Sequence, residues 1–278
     1  MILYGKELAE KITNEIKGEV ERLGISPKLG IIVIGEYRPS KIYVRKKVET
    51  AAKTGIRAEV FALPETTSEK ELLLLIGRLN SDDDIDGFIV QTPIPDHISE
   101  DRVMEAIDPV KDVDGFHPSN MGRVFQNLQT GFAPATPSGI IRLLDFYNVK
   151  INGANAVVVG RSNTVGKPIA LMLLHRNATV TICHSKTENL ADYTRNADIL
   201  IVAAGAPGLI KENMAKGGAY VIDVGTTRVG EKVVGDVDSV VQNKANVSPV
   251  PGGVGPLTVA ILLDNVLKAA KIRKKLEK

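Results

Sequence analysis

Residues 155–168 constrain this chain most, because they read as a strand, a tight loop and the start of a helix. Asn155-Ala156-Val157-Val158-Val159 is a short apolar run rich in β-branched residues, the pattern of a strand buried in a parallel sheet. Gly160 through Pro168 follow, and Ile169, Ala170, Met172 and Leu173 then recur at helical spacing as far as His175. Gly160 lets the chain turn at the strand's end, and Gly166 lets the helix lie close to the sheet. Pro168 suits a first helical turn, where its missing N–H costs nothing. The first free backbone N–H groups of such a helix favour a phosphate. The pattern departs from G-x-G-x-x-G, since Ser162 stands at the second glycine and Gly166 comes one residue late. On its own, such a turn also occurs in ordinary α/β units.

A length of 278 residues suits one large or two medium domains. A hydrophobic share of 44% and a charged share of 24% are those of a soluble globular protein. A net charge of +2 implies no nucleic acid. Cys183 is the single cysteine, which excludes an internal disulfide and a cysteine metal cluster, and the four histidines show no metal-ligand spacing. No apolar run approaches the ~20 residues of a membrane span, and the N-terminus reads as an amphipathic helix rather than a signal peptide. Cytoplasmic residence is the expectation.

In order, the chain alternates. A helix over 5–23 precedes strands over 29–34, 58–63 and 87–90, which are separated by helices over 40–54 and 68–80. Ser68 and Glu71 stand in capping-box spacing. Such alternation implies a mainly parallel sheet. Residues 108–137 show little periodicity and many turn residues, which suggests ordered functional loops or a linker. A helix over 138–147 then leads to a second α/β region. It has strands over 155–159, 179–183, 199–203 and 219–224, a short helix over 189–196, and a hairpin arm over 232–234. Residues 247–258 are too rich in Gly and Pro for regular structure, and 257–275 reads as a terminal helix.

Several residues can carry chemistry. The second strand of this region ends in Cys183-His184-Ser185-Lys186. No carboxylate stands there to bind a ribose 2′-hydroxyl, while hydroxyl and cationic donors do, and Arg161 can reach the same region. NADP is therefore favoured over NAD, unless Arg161 and Lys186 are ordinary surface cations. In the first region Ser40, Tyr43 and Lys47 share one helical face. A helical lysine is ordinarily a solvated charge. Beside a ring able to stack on a flat ligand, it can lose affinity for its proton and act as acid or base. Gln91 ends a buried strand, where ligands of open α/β sheets collect, or else its amide satisfies backbone. Of Asp112 and Asp114, one can bind an N–C–N edge with two N–H donors, or both cap a turn.

These residues lie within longer motifs: Ser40-Lys41-Ile42-Tyr43-Val44-Arg45-Lys46-Lys47, Leu63-Pro64-Glu65-Thr66-Thr67, Val90-Gln91-Thr92-Pro93-Ile94-Pro95, Lys111-Asp112-Val113-Asp114-Gly115-Phe116, Val159-Gly160-Arg161-Ser162 through Gly166, and Pro249-Val250-Pro251-Gly252-Gly253-Val254-Gly255-Pro256. Through them the chain resembles, nearly end to end, the bifunctional methylenetetrahydrofolate dehydrogenase/cyclohydrolases of the FolD type. The resemblance implies two α/β domains: a folate-binding catalytic domain over 1–137 plus 258–278, and a Rossmann-like NADP-binding domain over 138–257. It implies a C-terminal helix that packs back on the first domain, and a homodimer formed through the second. Tyr43 would stack on the folate, with Ser40, Asp114, Gln91 and Thr258 also at the substrate. Lys47 would be the catalytic acid/base, tuned by Gln91. Arg161 and Ser185 would hold the 2′-phosphate, with Gly160, Ser162, Gly166, His184 and Thr226 at the cofactor. No metal is implied. Thr92, Ala135 and Thr226-Thr227 depart from the Leu, Cys and Ile-Asn common in the family. A dehydrogenase without cyclohydrolase activity and a non-catalytic NADP-binding regulator are the alternatives, which the Ser40/Tyr43/Lys47 face, Gln91 and Asp114 disfavour.

Overall fold

The computed structural model describes residues 1–35, 38–230 and 232–276, the side chains of 38–41 excepted. In chain order the elements are α1 (Lys6–Leu23), β1 (Lys28–Ile34), α2 (Arg38–Lys53), β2 (Arg57–Leu63), α3 (Glu69–Ser81), β3 (Gly87–Val90), α4 (Glu100–Ala106), α5 (Pro118–Phe125) and α6 (Ala135–Phe146). They continue as β4 (Asn155–Val159), α7 (Gly166–His175), β5 (Thr179–Cys183), α8 (Leu190–Thr194), β6 (Ile199–Val202), β7 (Tyr220–Asp223), β8 (Thr227–Val229), β9 (Lys232–Val234), β10 (Asn246–Val247) and α9 (Val254–Arg273). Among the described residues, no helix is long and apolar enough to cross a membrane.

The chain divides into two compact units. One comprises Glu10–Arg123, Gln129–Ala135 and Val259–Lys278. Its parallel sheet has the order β2-β1-β3. The central strand β1 is almost wholly buried, as its unbroken apolar run requires, whereas the edge strand β2 alternates. Leu72, Leu75, Ile76 and Leu79 of α3 recur at helical spacing and pack with Ile32, Phe88 and Val90 of the sheet. Ser68 caps α3, accepting from the Glu71 N–H while the Glu71 carboxylate accepts from the Ser68 N–H. The C-terminal helix belongs to this unit from Val259 onward. Asn265 Nδ2 donates to Val113 O (2.8 Å) and Ala133 O (3.2 Å), Lys268 Nζ to Gly131 O (2.7 Å), and Lys271 pairs with Glu19 (2.8 Å). Arg273 donates to the carbonyls of Ile85 and Asp83.

The other unit comprises Met1–Ala9, Val124–Leu128 and Thr136–Thr258. Its five parallel strands run β10-β7-β6-β4-β5. β4 and β6, at the centre, are the most apolar and the most buried; β5, at the edge, is half-exposed. β8 and β9 form a separate antiparallel pair. The expected partition placed all of 1–137 in the first domain. Met1–Ala9 groups instead with the five-stranded unit, because Leu3 N–H donates to Val247 O (2.9 Å) and Gly5 N–H to Gly252 O (3.0 Å).

Three segments are more regular than the sequence suggests. α5 lies inside the stretch expected to be irregular, with Pro118 at its first position, and α6 starts three residues before the expected 138. α9 likewise begins at Val254, so Pro256 occupies its first turn, where no N–H is needed, and Asn246–Val247 pairs with β7.

Candidate active site

In the three-stranded unit, candidate residues converge beyond the C-terminal ends of the strands. Gln91 directly follows β3, and its N–H donates to Ile32 O (2.9 Å), which extends the ladder by one residue. Its Nε2 donates to Thr92 O (2.8 Å), so its Oε1 faces Lys47 and accepts from Nζ at 3.0 Å. Lys47 is buried on α2. Burial pushes its ammonium below the ordinary lysine range, and the nearby Asp114 charge opposes that push. Burial pushes the Asp114 carboxyl up; Lys47 pulls it down, and Asp112 adds to the rise. Tyr43, partly buried, lies one turn before Lys47 on α2. Ser40 sits in the same helix, and its side chain lies outside the described residues.

The Lys-Asp-Val-Asp-Gly segment divides its labour. Lys111 Nζ donates to Leu79 O (2.8 Å) and Asp82 O (2.6 Å), satisfying carbonyls at the C-terminal end of α3. Asp112, fully buried, accepts from the N–H groups of Gly115 (3.1 Å) and His117 (2.8 Å) and from Asn120 Nδ2 (2.8 Å). Asp112 is thus the turn cap, and no described hydrogen bond reaches the Asp114 carboxylate. Gly115 has a positive φ of 77°, and a Cβ there would lie 2.7 Å from the Ala133 carbonyl carbon. Asn120 and Asn265 also brace this loop, Asn265 through Val113 O. Neither carried a sequence signal: Asn120 acts on groups 8–12 residues away, and Asn265 on carbonyls more than 130 residues away.

The five-stranded unit gathers the other set. Val159 of β4 pairs with Cys183 of β5, and Gly160 N–H continues the ladder to Cys183 O (2.9 Å). Arg161 and Ser162 therefore follow one strand while His184, Ser185 and Lys186 follow its neighbour. Arg161, Ser162, Ser185 and Lys186 are exposed. His184 anchors its turn: its N–H donates to Thr187 Oγ1 (2.9 Å), and its Nδ1 accepts from Lys186 N–H (3.2 Å). A Cβ on Gly160 would lie 2.2 Å from Ala203 O, and one on Gly166 would lie 2.3 Å from Gly160 O. Both glycines are required by close backbone approach.

One expectation is corrected here. The N–H groups at the start of α7 are not free to face an anion. Ser162 Oγ accepts from Val165 (3.1 Å) and Gly166 (3.3 Å), Ser162 O accepts from Lys167 (3.0 Å), and Pro168 has no N–H. The exposed side-chain donors beside this turn are Arg161, Ser185 and Lys186. Thr226 is exposed just beyond β7. Thr258 falls in this unit, with its Oγ1 2.9 Å from Thr136 Oγ1.

Comparison with known proteins agrees with this geometry. The catalytic-domain model of the tetrahydrofolate dehydrogenase/cyclohydrolases matches residues 3–114, and the NAD(P)-binding-domain model of the same family matches residues 134–274. The bifunctional protein FolD of Halothermothrix orenii is 51% identical over 277 residues, covering 97% of this chain and 98% of that protein. The crystal structure of the bifunctional enzyme FolD from Campylobacter jejuni, a methylenetetrahydrofolate dehydrogenase/cyclohydrolase, superposes with a TM-score of 0.95 at 46% identity, covering 98% of this chain and 99% of that one. The Trypanosoma brucei enzyme, complexed with NADP cofactor and inhibitor, gives 0.95 at 36% identity, covering 100% and 99%. The chain belongs to the tetrahydrofolate dehydrogenase/cyclohydrolase family.

Proposed function

We propose that this protein oxidises 5,10-methylenetetrahydrofolate to 5,10-methenyltetrahydrofolate with NADP⁺ and hydrolyses the product to 10-formyltetrahydrofolate. The observation that carries this reading is a buried lysine, hydrogen-bonded to an amide and close to a carboxylate that no described residue satisfies. Asp114 suits the amino and amide edge of a pterin, which offers two N–H donors to one carboxylate. Tyr43 supplies a ring on which the flat heterocycle stacks, with Ser40, Gln91 and Thr258 at the substrate.

The donor set in the five-stranded unit fits NADP. Arg161 and Ser185 are exposed beyond adjacent strands, and no carboxylate stands among residues 183–187 to repel a 2′-phosphate. Gly160, Ser162, His184 and Thr226 complete the proposed contacts, and Gly166 serves the cofactor only by letting the turn close on Gly160. When bound, NADP⁺ supplies the acceptor for the hydride that leaves the one-carbon bridge. For that step the chain contributes alignment. In the second step water attacks the methenyl carbon. The Lys47 amine takes a proton from the water and returns it to the ring nitrogen as the C–N bond breaks, and the hydroxyl left on the carbon loses its proton to solvent as it becomes the formyl carbonyl. Gln91 holds the amine in place throughout. The reading extends to a homodimer through the five-stranded unit, whose edge strand β5 leaves Ile182 42% exposed, and to residence in the cytoplasm.

The test uses two substrates and one variant. Wild-type protein given methylenetetrahydrofolate and NADP⁺ generates NADPH, and it hydrolyses added methenyltetrahydrofolate. Lys47→Met keeps the side chain as far as Cε and removes the amine. Hydrolysis then falls by ~10²–10⁴, the usual contribution of a positioned acid–base group, and NADPH formation falls less. Methenyltetrahydrofolate accumulates and is read by its near-ultraviolet absorbance. Lys47→Met protein that hydrolyses at the wild-type rate removes Lys47 from the mechanism. Wild-type protein that performs neither reaction overturns the function.

A further inference from the structure

Two buried carboxylates in the five-stranded unit belong to neither set of candidate residues. Asp223 ends β7, and Asp236 follows β9. Asp236 is wholly buried. Its Oδ2 accepts from the N–H groups of Ala204 (2.7 Å) and Gly205 (2.8 Å), in the turn after β6. Among the described residues its Oδ1 has no hydrogen-bond partner, and it faces Gly225, where a Cβ would lie 2.4 Å from it. Asp223 holds the neighbouring turn: Oδ1 accepts from Gly225 (3.0 Å) and Asp236 (2.9 Å), and Oδ2 from Val237 (3.0 Å). A Cβ on Gly235 would collide with Asp223 Oδ2 at 1.9 Å. Burial, with the Asp236 charge adding to it, pushes the Asp223 carboxyl up to about 6, against the pull of its backbone donors.

These turns leave the carboxyl ends of β6 and β7, the side of an open parallel sheet on which ligands bind. The residue before the turn that Asp236 holds is Ala203, whose carbonyl oxygen lies 2.2 Å from where a Gly160 Cβ would be. The path from Asp236 is therefore continuous, through the Ala204 and Gly205 amides to the Ala203 carbonyl, and from there to the Gly160 backbone that presents Arg161 and Ser162. On its other oxygen, Asp236 abuts Gly225, the residue before Thr226. A buried carboxylate with one unpaired oxygen carries a desolvation cost that an apolar side chain in the same space would not.

We propose that Asp236 is a positioning residue for the cofactor: its carboxylate sets the turns after β6 and β7 and, through Ala203, the Gly160 turn that presents Arg161 to NADP⁺. This rests on the reading of the five-stranded unit as the NADP-binding part. Asp236 touches no reacting atom; it acts through backbone.

The experiment compares wild type, Asp236→Asn and Asp236→Leu by three readouts: KM for NADP⁺, KM for methylenetetrahydrofolate, and hydrolysis of added methenyltetrahydrofolate without cofactor. Leucine fills similar volume without an acceptor, so two backbone amides lose a charged partner and KM for NADP⁺ rises about tenfold or more. Folate KM and cofactor-free hydrolysis hold, which shows that the protein is folded. Asparagine keeps one oxygen for both amides and recovers most of the loss. An unchanged KM for NADP⁺ in Asp236→Leu overturns the proposal. So does parallel loss of hydrolysis, which assigns Asp236 to the fold at large, and so does an asparagine variant as impaired as the leucine one. Wild-type protein inactive in both reactions overturns the functional reading itself, a distinct result.

Discussion

Lys47 donates to the Gln91 amide oxygen rather than to a carboxylate. An amide oxygen accepts from a neutral amine or from an ammonium alike, so the bond orients the nitrogen without locking its charge. Burial then favours the neutral amine, and the Asp114 anion limits how far. The sign of one substitution follows. Asp114→Asn removes the charge that raises the Lys47 pKa, so the amine deprotonates at lower pH. The limb of the hydrolysis pH profile that reports Lys47 moves toward acid, and KM for folate rises as an acceptor facing an N–H donor is exchanged for a second donor. A profile that stays in place, with wild-type KM, would reduce Asp114 to a turn residue. Asp112 already fills that part, with three donors on its two oxygens.

At the scale of elements, helix ends are decided by which side chain meets the first N–H groups. α3 starts at Ser68 because the reciprocal bonds with Glu71 satisfy two donors there. Ser68→Ala is expected to cost about 1 kcal/mol, the usual effect of losing an N-cap. The measurement is a fall in urea midpoint at constant m-value, with KM for both ligands unchanged; an unmoved midpoint would mean that solvent replaces the cap. α7 has Val165 as an N-cap without a capping side chain, and Ser162, three residues earlier, accepts from the Val165 and Gly166 N–H groups instead, which takes those amides out of reach of a ligand. The two glycines of that turn serve backbone contact, Gly160 against Ala203 and Gly166 against Gly160. Their spacing therefore differs from G-x-G-x-x-G while the strand–turn–helix geometry is retained.

Across the whole chain, the C-terminal helix is bound to segments that precede it by more than a hundred residues. Asn265 Nδ2 reaches two carbonyls, Val113 beside Asp114 and Ala133. Asn265→Ala leaves both partly buried acceptors without their donor, a loss of about 1–3 kcal/mol in stability. Because one acceptor lies in the Asp112–Gly115 loop, folate KM is expected to rise while KM for NADP⁺ holds. Thermal unfolding and the two KM values check this; a variant with wild-type folate KM would make the contact purely structural. The same helix anchors Glu19 and the Ile85 and Asp83 carbonyls, which explains why its residues from Val259 group with the three-stranded unit.

What the amino-acid sequence determined by itself was local. Unbroken β-branched runs marked the central strands β1, β4 and β6, whose burial on both faces leaves no room for polar side chains. The Ser68/Glu71 spacing marked a helix start, and the dense motifs around Lys47, Gln91, Asp114 and Gly160 marked the family. Tertiary structure decided what depends on distant partners. It made Asp112 the cap and left the Asp114 carboxylate without a hydrogen bond among the described residues, a division that two carboxylates two residues apart cannot reveal. It turned Lys111 into a cap for α3, satisfied the start of α7 with Ser162, and folded α5 within a Gly- and Pro-rich stretch. It also set Asp236 beneath the turns after β6 and β7, where its partners are backbone amides about 30 residues away. A backbone amide carries no side-chain signature, so a residue that acts on one far away in the chain, unlike a local cap such as Ser68, becomes visible only when the chain is folded.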